Sequence, residues 1–280
     1  MHSSTPIKPL ESRIALITGA SAGIGRDCAH HLASLGARLI LNARRQQNLI
    51  ELTNELNESY PTDDGSTRST FVAGDAADQS TIDEMMAATA HLSPEDTQES
   101  PENDPKTPDI VIVNAGRGLN GSVMTSDTDQ WEEMVRTNLI GAARLIRTAG
   151  NALQDLQQSN NWPENPADLV ILGSTVGRHI SPFSSMYGST KFAVNSLAEA
   201  ARRELGPKGV RVSLIEPGIV KSEFQQVAGY DESKFGDLMD TISPVLAPMD
   251  IARTIGFIIS QPAGMHISDV VIRSTRQEYP

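Results

Sequence analysis

The sequence predicts an α/β protein: a doubly wound parallel sheet of about seven strands with helices on both faces. Short, nearly continuous apolar runs alternate with amphipathic stretches along most of the chain. The first apolar run feeds directly into a glycine-rich turn that opens a helix. Strands buried on both faces read as unbroken apolar runs, and helices between them make the crossovers that parallel strands require.

Taken in order, the expected strands are 13–18 (RIALIT), 37–42 (ARLILN), 70–74, 109–114 (DIVIVN), 168–173 (DLVILG), 210–215 and a last one at 269–273. Between them the helical periodicity covers 23–35, 46–58, 80–92, 127–156 and 186–205, with a final helix over 250–260. Three segments break the rhythm. Residues 59–69 are polar and turn-rich, 93–108 carry five acidic residues and four prolines, and 157–166 are rich in Asn and Pro. Each follows a helix and precedes a strand, so each is expected as a solvated loop at the amino-terminal edge of the sheet. No repeat or separating linker is visible, and one domain over 1–280 is expected.

Composition limits the function. Lys and Arg number 23 against 35 Asp and Glu, a net charge of −12. That argues against nucleic acid and against an anionic membrane surface as partners. A single cysteine, Cys28, excludes a disulfide framework and multi-cysteine metal sites, and it reads as a small buried hydrophobe. No stretch approaches the 18 apolar residues of a membrane span and no signal peptide is visible, so the expected location is the cytoplasm.

The first strand ends in Gly19-Ala-Ser-Ala-Gly23-Ile-Gly25. Gly19 suits a tight turn, Gly23 lets backbone N–H groups approach phosphate, and Gly25 lets helix and strand pack closely. Ser21 and Ile24 belong to the same loop, and the helix start behind it favours an anion. The second strand ends in Asn42-Ala43-Arg44-Arg45, without the carboxylate that would take the adenine ribose hydroxyls of NAD. Arg44 and Arg45 suit a 2′-phosphate instead, which selects NADP(H). Further on, Tyr187 and Lys191 stand at i and i+4 of a helix start, so phenol and ammonium share a face. An ammonium beside a phenol lowers the phenol pKa and makes a general acid/base for a carbonyl or hydroxyl. Ser174 closes the fifth strand thirteen residues before Tyr187, where a hydroxyl can donate to a substrate oxygen. Asn114-Ala115-Gly116 closes the fourth strand at the same edge, and Asn138 lies on the helix that follows.

TGASAGIG at 18–25, NAG at 114–116, Ser174, YGSTK at 187–191 and EPGIVKS at 216–222 together resemble the compact, single-domain branch of the short-chain dehydrogenase/reductase family, whose fold is Rossmann-type. The resemblance runs from about residue 14 to about residue 273. It implies that Tyr187 is the acid/base, that Ser174 binds the reacting oxygen, and that Lys191 lowers the tyrosine pKa and holds the nicotinamide ribose. It further implies that Asn138 orients a relay water, that Asp75 and Ala76 lie beside the adenine, and that Asn114, Ala115 and Gly116 form the cofactor floor. Pro217, Gly218, Val220 and Ser222 would grip the carboxamide. Val113 departs from the family's usual second Asn before the NAG, and Ser222 replaces its usual Thr.

The function expected is an NADP(H)-dependent oxidoreductase interconverting a hydroxyl and a carbonyl on a small molecule. The endings IEPGIVKSEF and HISDVVIRSTRQ look more like NADP-dependent 3-hydroxy acid (serine-type) dehydrogenases than 3-oxoacyl-carrier-protein reductases. The latter remain an alternative, as does an NADP(H)-sensing regulator on the same fold. Arg117, Arg178, His179 and Lys221 are the cations nearest the expected cleft mouth, each able to meet a substrate carboxylate. His179 has no second ligand at metal spacing, and no metal is expected. The family uses helices 127–156 and 186–205 for subunit contacts, which implies a homodimer or homotetramer.

Overall fold

A computed structural model describes residues 8–92, 107–159, 163 and 165–278. Seven strands, β1 (Ile14–Thr18), β2 (Arg38–Ala43), β3 (Ser69–Ala73), β4 (Ile110–Val113), β5 (Ala167–Leu172), β6 (Val210–Pro217) and β7 (Asp269–Ile272), form one sheet in the order β3-β2-β1-β4-β5-β6-β7. Every pairing is parallel. The order reverses between β1 and β4, which opens a crevice outside their carboxyl ends.

The helices are α1 (Gly23–Ser34), α2 (Gln46–Ser59), α3 (Gln79–Ala87), α4 (Trp131–Val135), α5 (Ala142–Ser159), α6 (Ser185–Leu205), α7 (Phe224–Val227), α8 (Glu232–Ile242) and α9 (Pro248–Ile259). One apolar layer joins α1, α2 and α9 to the sheet through Leu32, Leu49, Leu52, Leu56, Ile251 and Ile255. The opposite layer joins α3, α5 and α6 through Ile82, Met85, Leu145, Leu153, Val194 and Leu205. Each fully buried aliphatic side chain contributes about 1.5–3 kcal/mol. The central strands β1, β4, β5 and β6 are buried throughout. The edges differ from the expectation: β3 is only partly covered and β7 alternates exposed and half-buried, because each has a neighbour on one side only.

Two other expectations change. The stretch expected as one helix over 127–156 is a short 3-10 turn, then α4, a π-helical segment Arg136–Gly141, and α5. The polar segment 59–69 is not simply solvated. It wraps a buried arginine: Arg68 is 2% exposed and donates to the carbonyls of Tyr60 (2.8 Å), Pro61 (3.2 Å), Ala37 (3.3 Å) and Gly36. The acidic run lies outside the described residues for 93–106, and the third polar segment for 160–162 and 164.

At the amino-terminal edge four charges thread the sheet. Asp168 accepts from Arg211 through Nε and Nη2, both at 2.8 Å, and from Arg13 Nη2 at 2.9 Å. Arg13 also pairs with Asp109, whose second oxygen accepts the Ile14 N–H at 2.8 Å. Arg211 continues to the carbonyls of Ile259 (3.0 Å) and Gln261 (2.8 Å) beyond α9. The four residues are buried, Asp168 to 1% exposure. Asp168→Ala leaves the buried Arg211 guanidinium without a carboxylate and Arg13 with Asp109 alone, and is expected to cost about 3–5 kcal/mol. In a chain of this size that lowers the melting temperature by roughly 6–20 °C, measured by scanning calorimetry, whereas Asp63→Ala on the surface should shift it by under about 2 °C.

Candidate functional site

One cleft of about 480 Å³ follows the carboxyl ends of the strands. Its floor is assembled by local necessity. Gly19 turns off β1 at φ +68°, and a Cβ on Gly25 would lie 2.3 Å from the Gly19 carbonyl oxygen, so the loop closes against α1 only with glycine there. The Asn114 amide donates to the carbonyls of Thr18 (2.8 Å) and Gly19 (3.3 Å), and Thr18 Oγ1 accepts from the N–H groups of Asn114 (3.0 Å) and Ala115 (3.1 Å). Asn114 thus ties the ends of β1 and β4 together. Val113, in the place of the usual Asn, is buried in the apolar layer under α5. Helix α1 has no side-chain cap and no acidic residue in its first turn, which leaves its N–H groups facing the glycine loop.

The other expected contacts gather in the same place. Gly19, Ser21, Gly23, Ile24, Arg44, Arg45, Asp75, Ala76, Asn114, Ala115 and Gly116 line the cleft, as do Ser174, Tyr187, Lys191, Pro217, Gly218, Val220 and Ser222. Gly25 and Asn138 stand behind its wall rather than on it. Arg45 lays its guanidinium on Ser21 Oγ, with Nε and Nη2 both at 3.2 Å, and its Nη1 reaches Glu223 at 3.1 Å. Arg44 approaches Glu133 at 3.4 Å. Both pairs are exposed and exchange readily for another anion, since such pairs contribute about 0–1 kcal/mol. Burial opposes ionisation of Asp75, but the Arg136 guanidinium at 2.6 Å and the Ala77 N–H hold its pKa below the ordinary carboxylate value.

Around the expected catalytic residues the structure makes one correction. Tyr187 and Lys191 share a buried face of α6, yet the ammonium does not lie at the phenol oxygen. Lys191 Nζ donates to the Leu172 carbonyl at 2.7 Å and stands 5.9 Å from the centre of the Tyr187 ring. Tyr187 packs with Leu119, Met134 and Val176, and this burial raises its pKa above the ordinary tyrosine range, against the opposing hydrogen bond from Ser174. The lowered phenol pKa expected from the i, i+4 spacing is therefore absent: desolvation outweighs an ammonium held elsewhere. Burial acts on Lys191 as well and pulls its pKa down to about 8.

Asn138 is 2% exposed, and its amide clamps the cleft floor. Its Oδ1 accepts the Arg117 N–H at 2.8 Å, and its Nδ2 donates to the Arg117 carbonyl (2.8 Å) and to Thr190 Oγ1 (3.1 Å). Thr190 in turn donates to the Tyr187 carbonyl at 2.7 Å. Among the mouth cations, Arg117 lines the cleft with its guanidinium on Gln130. Arg178 is turned away: its Nε bonds both oxygens of buried Glu216, at 3.2 and 3.0 Å. His179 and Lys221 are exposed and off the cleft wall.

Sequence reasoning missed several residues here. Glu216 also accepts from Asn195 Nδ2 at 2.7 Å and anchors the end of β6. Gln277 accepts the Ile219 N–H at 3.0 Å and presses on Gly218. Phe224, Tyr230 and Phe235, on and around α7 and α8, wall the cleft near Tyr187. The paired aromatics in 224–235 are the signal that was available, but their spacing matches no single helix.

An unfolded lysine titrates near 10.5 and Lys191 near 8 in the fold. Below pH 8 both states carry the proton and the cost of burying it is fully present; between 8 and 10.5 the folded state sheds it and the cost lifts. After allowance for the lost Leu172 bond, Lys191→Met is expected to gain about 2 kcal/mol at pH 7. Thermal melts should show a rise of roughly 4–8 °C at pH 7 that fades as the pH passes 8 and is gone above 10.5.

The chain is similar to known proteins along nearly its whole length. The short chain dehydrogenase family model matches residues 13–233. An uncharacterized oxidoreductase of Staphylococcus epidermidis is 26% identical over 268 residues, covering 94% of this chain and 98% of that protein. A serine dehydrogenase structure in its closed form, complexed with NADP+, superposes with a TM-score of 0.76 at 26% identity, over 95% of this chain and 96% of its own. A 3-ketoacyl-(acyl-carrier-protein) reductase from Brucella melitensis, complexed with NADH, shares the fold with a TM-score of 0.78 at 21% identity, over 95% and 98%. The chain belongs to the short-chain dehydrogenase/reductase family and is an oxidoreductase of that family.

Proposed function

We propose that the protein interconverts a hydroxyl and a carbonyl on a small molecule with NADP(H), through Tyr187, Ser174, Lys191 and Asn138. The observation that carries this reading is that Ser174, Tyr187 and Lys191 line the same cleft whose other end is the glycine loop and the Arg44–Arg45 pair. The uncapped start of α1 suits a pyrophosphate. Arg44 and Arg45 hold the 2′-phosphate, with Ser21 beside them.

The bound nicotinamide supplies or accepts the hydride. Ser174 donates to the reacting oxygen and fixes it beside Tyr187. The raised pKa keeps Tyr187 protonated at neutral pH, so it delivers a proton to the alkoxide oxygen that develops during reduction. Oxidation runs the proton the other way and speeds up as the pH rises. Lys191 holds the ribose and passes the proton on. The Asn138 side-chain amide is committed to Arg117 and Thr190, so a relay water would be oriented by its backbone carbonyl. A 3-hydroxy acid, suggested by the C-terminal resemblance and by the NADP+-bound serine dehydrogenase, fits this chemistry at the reacting carbon. The same reading includes a homodimer or homotetramer, with exposed Ile140 and Phe192 offered on the α6 side of the fold.

Tyr187→Phe is expected to lower kcat/KM by about 10²–10⁴ while NADPH binding, followed by its fluorescence, changes less than about twofold. Arg44→Ala/Arg45→Ala should weaken NADPH by about 10–100-fold and NADH by less than about threefold. Equal losses for both cofactors would remove the 2′-phosphate assignment, and a Tyr187→Phe enzyme with full turnover would remove the mechanism. Sedimentation velocity at micromolar concentration should show a dimer or tetramer, and a monomer overturns that part.

A further inference from the structure

Both guanidiniums at the end of β2 already hold a carboxylate, and neither carboxylate comes from β2 or from the helix that follows it. Arg44 Nη1 lies 3.4 Å from Glu133 on α4, and Arg45 Nη1 lies 3.1 Å from Glu223, just before α7. Glu223 is brought across the whole crevice. The sheet order sets β1, β4 and β5 between β2 and β6, so the segment that leaves β6 at Pro217 returns over the ends of three strands to reach Arg45. It passes over the glycine loop: a Cβ on Gly23 would lie 3.6 Å from Ser222 Cβ. Ser21, Arg45, Ser222 and Glu223 all line the cleft.

The two pairs differ in what remains when another anion takes the arginine. Glu133 keeps Arg136 at 3.7 Å and Thr137 Oγ1 at 3.5 Å. Asp75 is held by Arg136 at 2.6 Å and does not compete for either arginine. Glu223 has no such reserve. Among the described residues its carboxylate pairs with Arg45 alone, and although Glu223 stands at the N-cap of α7, its side chain makes no cap there. A phosphate on Arg45 therefore meets the Glu223 carboxylate as a like charge. The Glu223 side chain is 58% exposed, so the carboxylate has water to return to.

We propose that Glu223 is a specificity-determining residue that acts against the 2′-phosphate. Its carboxylate is an internal anion seated on Arg45; NADP(H) binds by displacing it, and NAD(H), with a hydroxyl in that place, leaves the pair intact. This rests on the assignment of Arg44 and Arg45 to the 2′-phosphate above. The chain thus holds arginines that attract the phosphate and a carboxylate that weakens the attraction. Glu223 directly precedes Phe224, whose ring meets that of Tyr187 at 5.5 Å, so the displaced segment is the one that walls the reacting end of the cleft.

The test is binding of NADPH and NADH to the full chain, followed by nucleotide fluorescence. Glu223→Gln is expected to tighten NADPH by at least about threefold and Glu223→Lys further still, with NADH changed by less than about twofold in Glu223→Gln. The Glu223→Gln gain should fall below about 1.5-fold in about 1 M KCl, where exposed charges are screened. Glu58→Gln removes the same charge at the far end of α2, roughly 20 Å from Arg45 along the helix, and should leave NADPH within about 1.5-fold. Unchanged or weaker NADPH binding in Glu223→Gln, a gain that persists in high salt, or an equal gain in Glu58→Gln overturns the inference. Arg44→Ala/Arg45→Ala in the same assay separates the two readings. Selective loss of NADPH there leaves the 2′-phosphate assignment standing whatever Glu223 does, and equal loss of both cofactors removes the assignment and the inference together.

Discussion

The structure depends on the charge chain Asp109–Arg13–Asp168–Arg211 at the amino edge of the sheet. Parallel strands that are apolar on both faces have little in their side chains to tell one register from the next. Here the starts of β1, β4, β5 and β6 are fixed by groups that cannot slip a residue without stranding a buried charge. Arg211 extends the constraint to the end of α9. With one edge pinned, the opposite ends of the same strands meet in a set position, and Gly19, Asn114, Ser174 and Pro217 gather around one cleft without any direct connection from β1 to β6.

The cleft is less stable chemistry built on this stable frame. Tyr187 and Lys191 are both held in surroundings that disfavour their ions, one pushed up and the other pulled down. Groups tuned in this way are common where proton transfer is needed, and they reduce the stability of the free fold. Arg45 and Glu223 add a second tension: a cation suited to a phosphate rests on a carboxylate one residue before Phe224, so the phosphate end and the aromatic wall share an ion pair.

Most of the frame was legible in the sequence because its causes are local. The apolar runs, the glycine loop and the Tyr187–Lys191 spacing each state their geometry within a few residues, and all but the edge strands are buried as expected. What escaped was long-range. Arg68 reads as one more polar residue in a loop until four carbonyls are seen around it, and Arg178 reads as a rim cation until Glu216 is found beneath it. The pKa of Tyr187 escaped for the same reason: spacing places Lys191 on the right face but says nothing of the Leu172 carbonyl that accepts its hydrogen bond.

The π-helical segment Arg136–Gly141 has a consequence for the helix it leads into. A wider turn accommodates a residue that the 3.6-residue repeat would have to display, and each residue added or removed turns everything downstream by about 100°. Upstream, Met134 and Asn138 point into the fold; downstream, Leu145, Ala149 and Leu153 do. Closing the segment to a regular α-helix with no residue lost would rotate α5 so that Arg144 and Thr148 swing towards the sheet in place of that stripe. The segment is a phase adjuster, and it lets one helix serve the cleft at its start and the core along its length.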